Sequence, residues 1–164
     1  MNTPTTTSSS MKVVYIAAPL TADTPEGIAE NRRVGSLWAA WAALSGFSPV
    51  CSWIVLTGVL SEEYRELGLK CDCAQVERCD SVWLCGGRIS GGMRVEALHA
   101  YGREIPIFDL TYLGRLPPAK SWERGLYADV QLDPAATPER QGRLWVPDQV
   151  DTRTLSASNP QRNE

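Results

Sequence analysis

DSVWLCGGRISGGMRVEALHA, residues 80–100, is the stretch whose reading decides the fold. Val82 to Cys85 has the length and the β-branched and aromatic content of a buried strand, and Met93 to Tyr101 spaces its apolar side chains for a helix. A glycine-rich turn joins them. In a parallel α/β sheet, ligands bind beyond the carboxyl ends of the strands, where the free N–H groups of the following helix attract anions. Glu96, early in that helix, is expected to face the same crevice.

Upstream, Lys12 to Ala17 reads as a first strand, continuous in apolar residues over Val13-Val14-Tyr15-Ile16 as an inner parallel strand is. It runs into Ala18-Pro19-Leu20-Thr21, where small residues and a proline stop the strand and let the backbone approach a ligand. Thr24-Pro25-Glu26 starts a helix with a hydroxyl N-cap, a proline and an acid, and Val34, Leu37, Trp38, Trp41 and Leu44 recur at helical spacing until Gly46. Tryptophans on such a stripe read as packing. Phe47 to Cys51 predicts a second strand, placed at a sheet edge by Pro49. Trp53, Ile54 and Val55 suit the cover of a pocket. Ser61-Glu62-Glu63 is expected to cap a helix running toward Cys79, bent or interrupted near Gly68, with Asp72, Val76 and Cys79 on one face. Asp80 reads as a turn or cap contact.

Downstream, Gly102 is the expected C-cap and Ile105 to Phe108 the fourth strand. Strand and helix alternate throughout, which predicts a single domain built on a doubly wound parallel sheet. Residues 12–146 are assigned to that domain. Leu126 to Val130 and Arg143 to Val146 read as short strands or a hairpin joined by the proline-rich Asp133 to Pro138. Residues 1–11 are expected to be a disordered leader, and 147–164 a polar tail.

With 164 residues, 43% of them hydrophobic and 21% charged, the chain has the composition of a soluble globular protein, and its net charge of −3 argues against a nucleic-acid polymer as partner. A small nucleotide needs only a local cluster of donors. No apolar run reaches the roughly 18 residues of a membrane span, and no signal pattern opens the chain. The expectation is a cytoplasmic protein with no membrane partner. Five cysteines, an odd number, point to free thiols. Cys71-Asp72-Cys73 with Cys79 and Cys85 lacks zinc-site spacing, and His99 is the single histidine, so the cysteines read as small buried hydrophobes and neither metal nor cofactor is expected.

A carboxylate at Glu96 can cap the helix, ligate a metal or attack carbon. Capping belongs within the first turn, beyond which Glu96 lies, and metal ligation lacks companions. Attack on the anomeric carbon of a sugar needs an orienting partner and an oxocarbenium-like transition state beside the negative charge. In this topology Tyr15, at the end of the first strand, and Asp72, on the neighbouring helix, can approach it.

The same residues resemble those of the nucleoside 2-deoxyribosyltransferase superfamily, and in particular its 2'-deoxynucleoside 5'-phosphate N-hydrolase branch. Val14-Tyr15-Ile16-Ala17-Ala18-Pro19-Leu20 is similar to the family's opening motif, Asp72 to its helix aspartate, and Ser90-Gly91-Gly92-Met93-Arg94-Val95-Glu96 to its Ser-x-Gly-x-x-x-Glu segment. The resemblance spans about Lys12 to Leu110. It implies a flavodoxin- or Rossmann-like fold and cleavage of the N-glycosidic bond of a 2'-deoxynucleoside or its 5'-monophosphate, the sugar passing to water or to another base.

Glu96 would then be the nucleophile on C1', Tyr15 would hold its carboxylate, and Asp72 would bind the sugar hydroxyl or help release the base. Ala17, Ala18, Pro19 and Met93 would line the substrate, while Ser90 with the Gly91 and Gly92 amides would hold a 5'-phosphate or 5'-hydroxyl. Arg88 is a further inferred source of charge at that site. The chain departs from the pattern with Arg88 and Ile89 where many transferases carry an acid, and with Thr21 where the hydrolases often carry arginine. Relatives complete their pockets across a dimer, so a homodimer or higher homo-oligomer is implied, with tryptophan-rich surface as its contact. The competing reading is a module that senses a nucleotide in the same pocket without turnover.

Overall fold

A computed structural model describes residues 10–121, 131–132 and 143–147. Along the chain these form β1 (Val13–Ala17), α1 (Pro25–Leu44), β2 (Ser48–Val50), α2 (Trp53–Leu56), a 3-10 turn (Glu62–Tyr64), α3 (Arg65–Val76), β3 (Ser81–Leu84), α4 (Gly91–Gly102) and β4 (Ile107–Asp109). Three short strands follow: β5 (Ala119–Ser121), β6 (Gln131–Leu132) and β7 (Arg143–Leu144). Among the described residues the main sheet has the order β2-β1-β3-β4-β7. The first four strands run parallel, and β7 closes the edge antiparallel to β4. β5 and β6 pair separately.

The double winding follows from side-chain alternation. Register pairs Tyr15 with Val82 and Ile16 with Trp83, so Tyr15 leaves one face of the sheet and Trp83 the other. Trp83 packs edge-on against Trp41 of α1, with ring centroids 5.9 Å apart, and against Phe47 at 4.8 Å. Tyr15 instead meets Glu96 of α4. Helices α1 and α4 therefore cover opposite faces, and α3 packs beside α4. The chain is an α/β protein of the doubly wound class, with β1 and β3 at its buried centre.

Local chemistry sets the element ends. Thr24 Oγ1 accepts from the Gly27 amide, and Pro25 opens α1. Gly46, at φ +91°, closes α1 in a Schellman motif, with Phe47 N–H donating to the Ala42 carbonyl. Proline-bearing β2 lies at the sheet edge, as expected. Asp80 bridges into β1: its carboxylate accepts from the Val13 amide at 2.7 Å, while its own amide donates to the Val13 carbonyl.

Four expectations need correction. Gly68 does not interrupt α3, which runs unbroken from Arg65 to Val76, and Ser61 makes no side-chain cap. Gly102 is the last helical residue of α4 rather than its cap, and the left-handed position falls on Glu104, at φ +57°. Arg143–Leu144 is a short strand, one of the two forms expected of it, and it pairs with β4. Trp38, Trp41, Trp53 and Trp83 are all buried, so these four offer no surface for a partner. The expectations for residues 126–130 and 133–138, and nearly all of both termini, lie outside the described residues. Among the described residues no helix is long and apolar enough to cross a membrane.

Candidate active site

Beyond the carboxyl end of β1 lies an open cleft of about 180 Å³. The β1–α1 connection (Ala18, Leu20, Thr21), α2 (Trp53, Leu56), α3 (Gly68, Leu69, Asp72) and the start of α4 (Ser90, Gly92, Met93, Glu96) form its walls. Three polar side chains converge there from three elements. Tyr15, the third residue of β1 rather than its last, is fully buried and donates its hydroxyl to Glu96 Oε1 at 2.8 Å. Glu96 shares the inward face of α4 with Met93, Ala97 and Ala100. Asp72 is buried on α3 in the same stripe as Val76, and Ser52 Oγ donates to its Oδ1 at 3.3 Å.

Electrostatics single these groups out. Burial pushes the Glu96 carboxyl up to about 8; the Tyr15 hydrogen bond opposes that rise and the Asp72 charge adds to it. Burial also raises Asp72, against the pull of its hydrogen-bonding neighbours Ser52 and Tyr15. The Tyr15 phenol is driven far above its ordinary range, first by burial and then by the Glu96 and Asp72 charges, so it remains a donor at any working pH. Two carboxyls with raised proton affinities thus lie in one desolvated site, and Glu96 is the one whose proton is held past neutrality. Such a pair can serve as acid and base together.

At the mouth, Ser90 Oγ accepts from the Met93 amide at 3.4 Å, and the Ser90 amide in turn donates to Met93 Sδ. A Cβ on Gly91 would meet nothing within 4 Å, and one on Gly92 only Leu69 Cδ2 at 3.7 Å. Packing therefore does not demand glycine at either position. Opposite, Trp53 Nε1–H donates to the Ile16 carbonyl at 2.8 Å. Its ring occupies the space left by Gly35, where a Cβ would come within 2.4 Å of Trp53 Cη2.

Of the residues expected at the site, Tyr15, Asp72 and Glu96 come together, and Ala18, Ser90, Gly92 and Met93 line the cleft. Ala17 is sealed in the sheet, and Gly91 stands exposed at the first position of α4. Pro19 and Arg88 line a different hollow. Sequence reading missed Ser52, Arg65, Gly68 and Leu69. The signal was available for three of them, since 65, 68 and 69 precede Asp72 at helical spacing. Ser52 occupies the N-cap position of α2, yet it makes no cap bond and turns its hydroxyl to Asp72.

All five cysteines are free, and burial raises the thiols of Cys51, Cys73, Cys79 and Cys85. Among the described residues no group of three His, Cys, Asp or Glu side chains gathers to hold a metal ion. A family model described as a domain of unknown function, DUF7768, matches residues 12–110. The chain belongs to the DUF7768 family. The match runs from the start of β1 to just past β4, so the DUF7768 unit contains the whole Tyr15–Asp72–Glu96 cluster. No curated protein matches the chain.

Proposed function

We propose that the chain cleaves the N-glycosidic bond of a 2'-deoxynucleoside or its 5'-monophosphate. The observation that carries this reading is the 2.8 Å hydrogen bond from the buried Tyr15 hydroxyl to Glu96 on the wall of the cleft, with Asp72 alongside. A carboxylate aimed by a phenol that never ionises is suited to attack an anomeric carbon from the face opposite the base. The Glu96 oxygen forms a bond to C1', the C1'–N bond breaks, and its electron pair leaves with the base, which takes a proton from Asp72. Water, or an incoming base, then attacks C1' and gives its proton to Asp72, releasing Glu96. Two displacements retain configuration at C1'.

The first step needs Glu96 ionised and Asp72 protonated; the Tyr15 hydrogen bond stabilises ionised Glu96, and burial favours protonated Asp72. Ser90 and Gly92, on the cleft wall at the start of α4, suit a 5'-phosphate or 5'-hydroxyl. The test is chromatography of free base after incubation with a panel of deoxynucleosides and deoxynucleoside 5'-monophosphates. Release that falls at least about a thousandfold in Glu96→Gln supports the reading. Equal release by the variant refutes it.

One observation favours a second reading. A Glu96 carboxyl raised to about 8 is mainly protonated at neutral pH, and a neutral acid donates a hydrogen bond better than it attacks carbon. A nucleotide-sensing module would use it so. Thermal stabilisation by a nucleotide without base release across the panel would select that alternative. A homo-oligomer belongs to the same proposal, and light scattering at working concentration tests it.

A further inference from the structure

On the α1 side of the Pro19 turn, a second hollow of about 350 Å³ is lined by Pro19, Asn31, Val34, the Gly86-Gly87-Arg88 turn and Gly114-Arg115. Its walls are built for close backbone approach. Gly86 and Gly87 adopt φ of +87° and +81°; a Cβ on Gly86 would strike Pro19 Cδ at 2.7 Å, and one on Gly87 would meet the Arg115 amide nitrogen at 3.1 Å. Both glycines are therefore required, for conformation and for space. Their apposition brings Arg88 and Arg115, far apart in sequence, to one rim. The Trp38 indole N–H anchors the Arg115 carbonyl at 2.9 Å, leaving the guanidinium to reach Asn31 Oδ1 at 3.2 Å and Glu30 Oε1 at 3.6 Å. Arg88 has no ion pair among the described residues.

We infer that this hollow binds a phosphate group. Arg88 and Arg115 both line this concavity beside a glycine turn, and two guanidinium groups match the charge-assisted, multidentate recognition of a tetrahedral oxyanion. The volume lies at the lower end of small-molecule sites, room for more than a bare ion. The site is also wired to the cleft. Asn31 accepts from Arg115 on one side and donates from Nδ2 to the Leu20 and Thr21 carbonyls, which belong to the cleft wall, on the other. A phosphate that draws Arg115 away from Asn31 and Glu30 therefore changes the support of that wall.

The proposal does not depend on the catalytic reading and is tested by binding alone. The full chain is titrated calorimetrically with inorganic phosphate, and separately with adenosine 5'-monophosphate, at constant ionic strength with chloride as the balancing anion. Saturable phosphate binding is expected, weakened at least about tenfold in both Arg88→Ala and Arg115→Ala and within about twofold of wild type in Arg103→Ala, which removes an equal charge from the Glu77 ion pair and lines neither hollow. Adenosine 5'-monophosphate binding more tightly through the two arginines identifies a phosphorylated small molecule; equal affinity identifies free phosphate. No saturable binding, binding indifferent to both arginines, or binding weakened as much in Arg103→Ala overturns the inference.

Discussion

Glu96→Gln is expected to stabilise the protein, and increasingly so as pH rises. Glutamine keeps an oxygen that accepts from the Tyr15 hydroxyl but removes the titration. In the wild type the carboxyl is raised to about 8 in the native state, against an ordinary value of 4.5 when unfolded. Below pH 4.5 both states hold the proton, and Glu96 costs nothing through ionisation. Between pH 4.5 and about 8 the unfolded chain releases the proton and the native chain keeps it, so wild-type stability falls by about 1.4 kcal/mol per pH unit from this group. Above about 8 both states are ionised and the penalty is constant. Across the whole window it has an upper bound of about 5 kcal/mol, of which relaxation of the site and entry of water leave on the order of 2–3. Urea denaturation at pH 5, 7 and 9, followed by the fluorescence of the four buried tryptophans, measures it. The advantage of Glu96→Gln over wild type should grow at each step. A pH-independent difference, or a variant that loses ground as pH rises, would mean that the native cleft welcomes the ionised carboxylate, and the reasoning fails.

Tyr15→Phe removes the hydrogen bond that favours ionised Glu96, so kcat/KM for base release should drop by about 10- to 100-fold and its alkaline-rising limb should shift to higher pH; a pH–rate profile with an unmoved limb contradicts the positioning role. Gly35→Ala drives a methyl against the anchored Trp53 ring and should cost about 1–3 kcal/mol in chemical denaturation, with no loss expected only if that ring is free to move. Glu104→Gly relieves a left-handed residue at the end of α4, where the Ile105 amide still bonds the Ala100 carbonyl, and should raise stability by about 1 kcal/mol; a lower melting temperature speaks against it.

Period and punctuation made most of this fold legible. The apolar runs that become β1 and β3, the capped stripe of α1 and the glycine turn before α4 each carry a local signal strong enough to survive tertiary packing. The errors fell where long-range contact outweighs local preference. Glycine is the usual left-handed residue after a helix, yet two bonds of the Schellman type at the end of α4 impose that conformation on Glu104. Gly68 reads as a breaker, but the flanking helix formers carry α3 through it, and it lines the cleft instead. Arg88 lies two residues before Ser90 in sequence, and chain proximity suggested a shared site; the positive-φ glycine pair turns the backbone so that it lines the other hollow. Ser52 had no local signal for its contact with Asp72, because that contact spans 20 residues and exists only once α2 packs on α3.

The cluster at the cleft is also the part of the chain that stability alone does not explain. On the surface of α1, by contrast, Arg33 donates to Glu30 and lowers its carboxyl, as a structural ion pair does. Among the described residues no cation shifts Glu96; what acts on it is burial, a phenol and a second carboxylate. The Tyr15 bond recovers only part of the cost, since the carboxyl still rises by more than three pH units. An apolar side chain at position 96 would continue the face made by Met93, Ala97 and Ala100 and would carry no ionisation penalty. An acid kept there, next to another acid and open to a cleft, makes sense when its proton is meant to move, and groups whose proton affinities are set by burial and a like charge are those that acid–base chemistry uses. The stability gain expected of Glu96→Gln and the activity loss expected of it are then two measurements of one compromise. A variant that gains stability and keeps full base release would break the link between them.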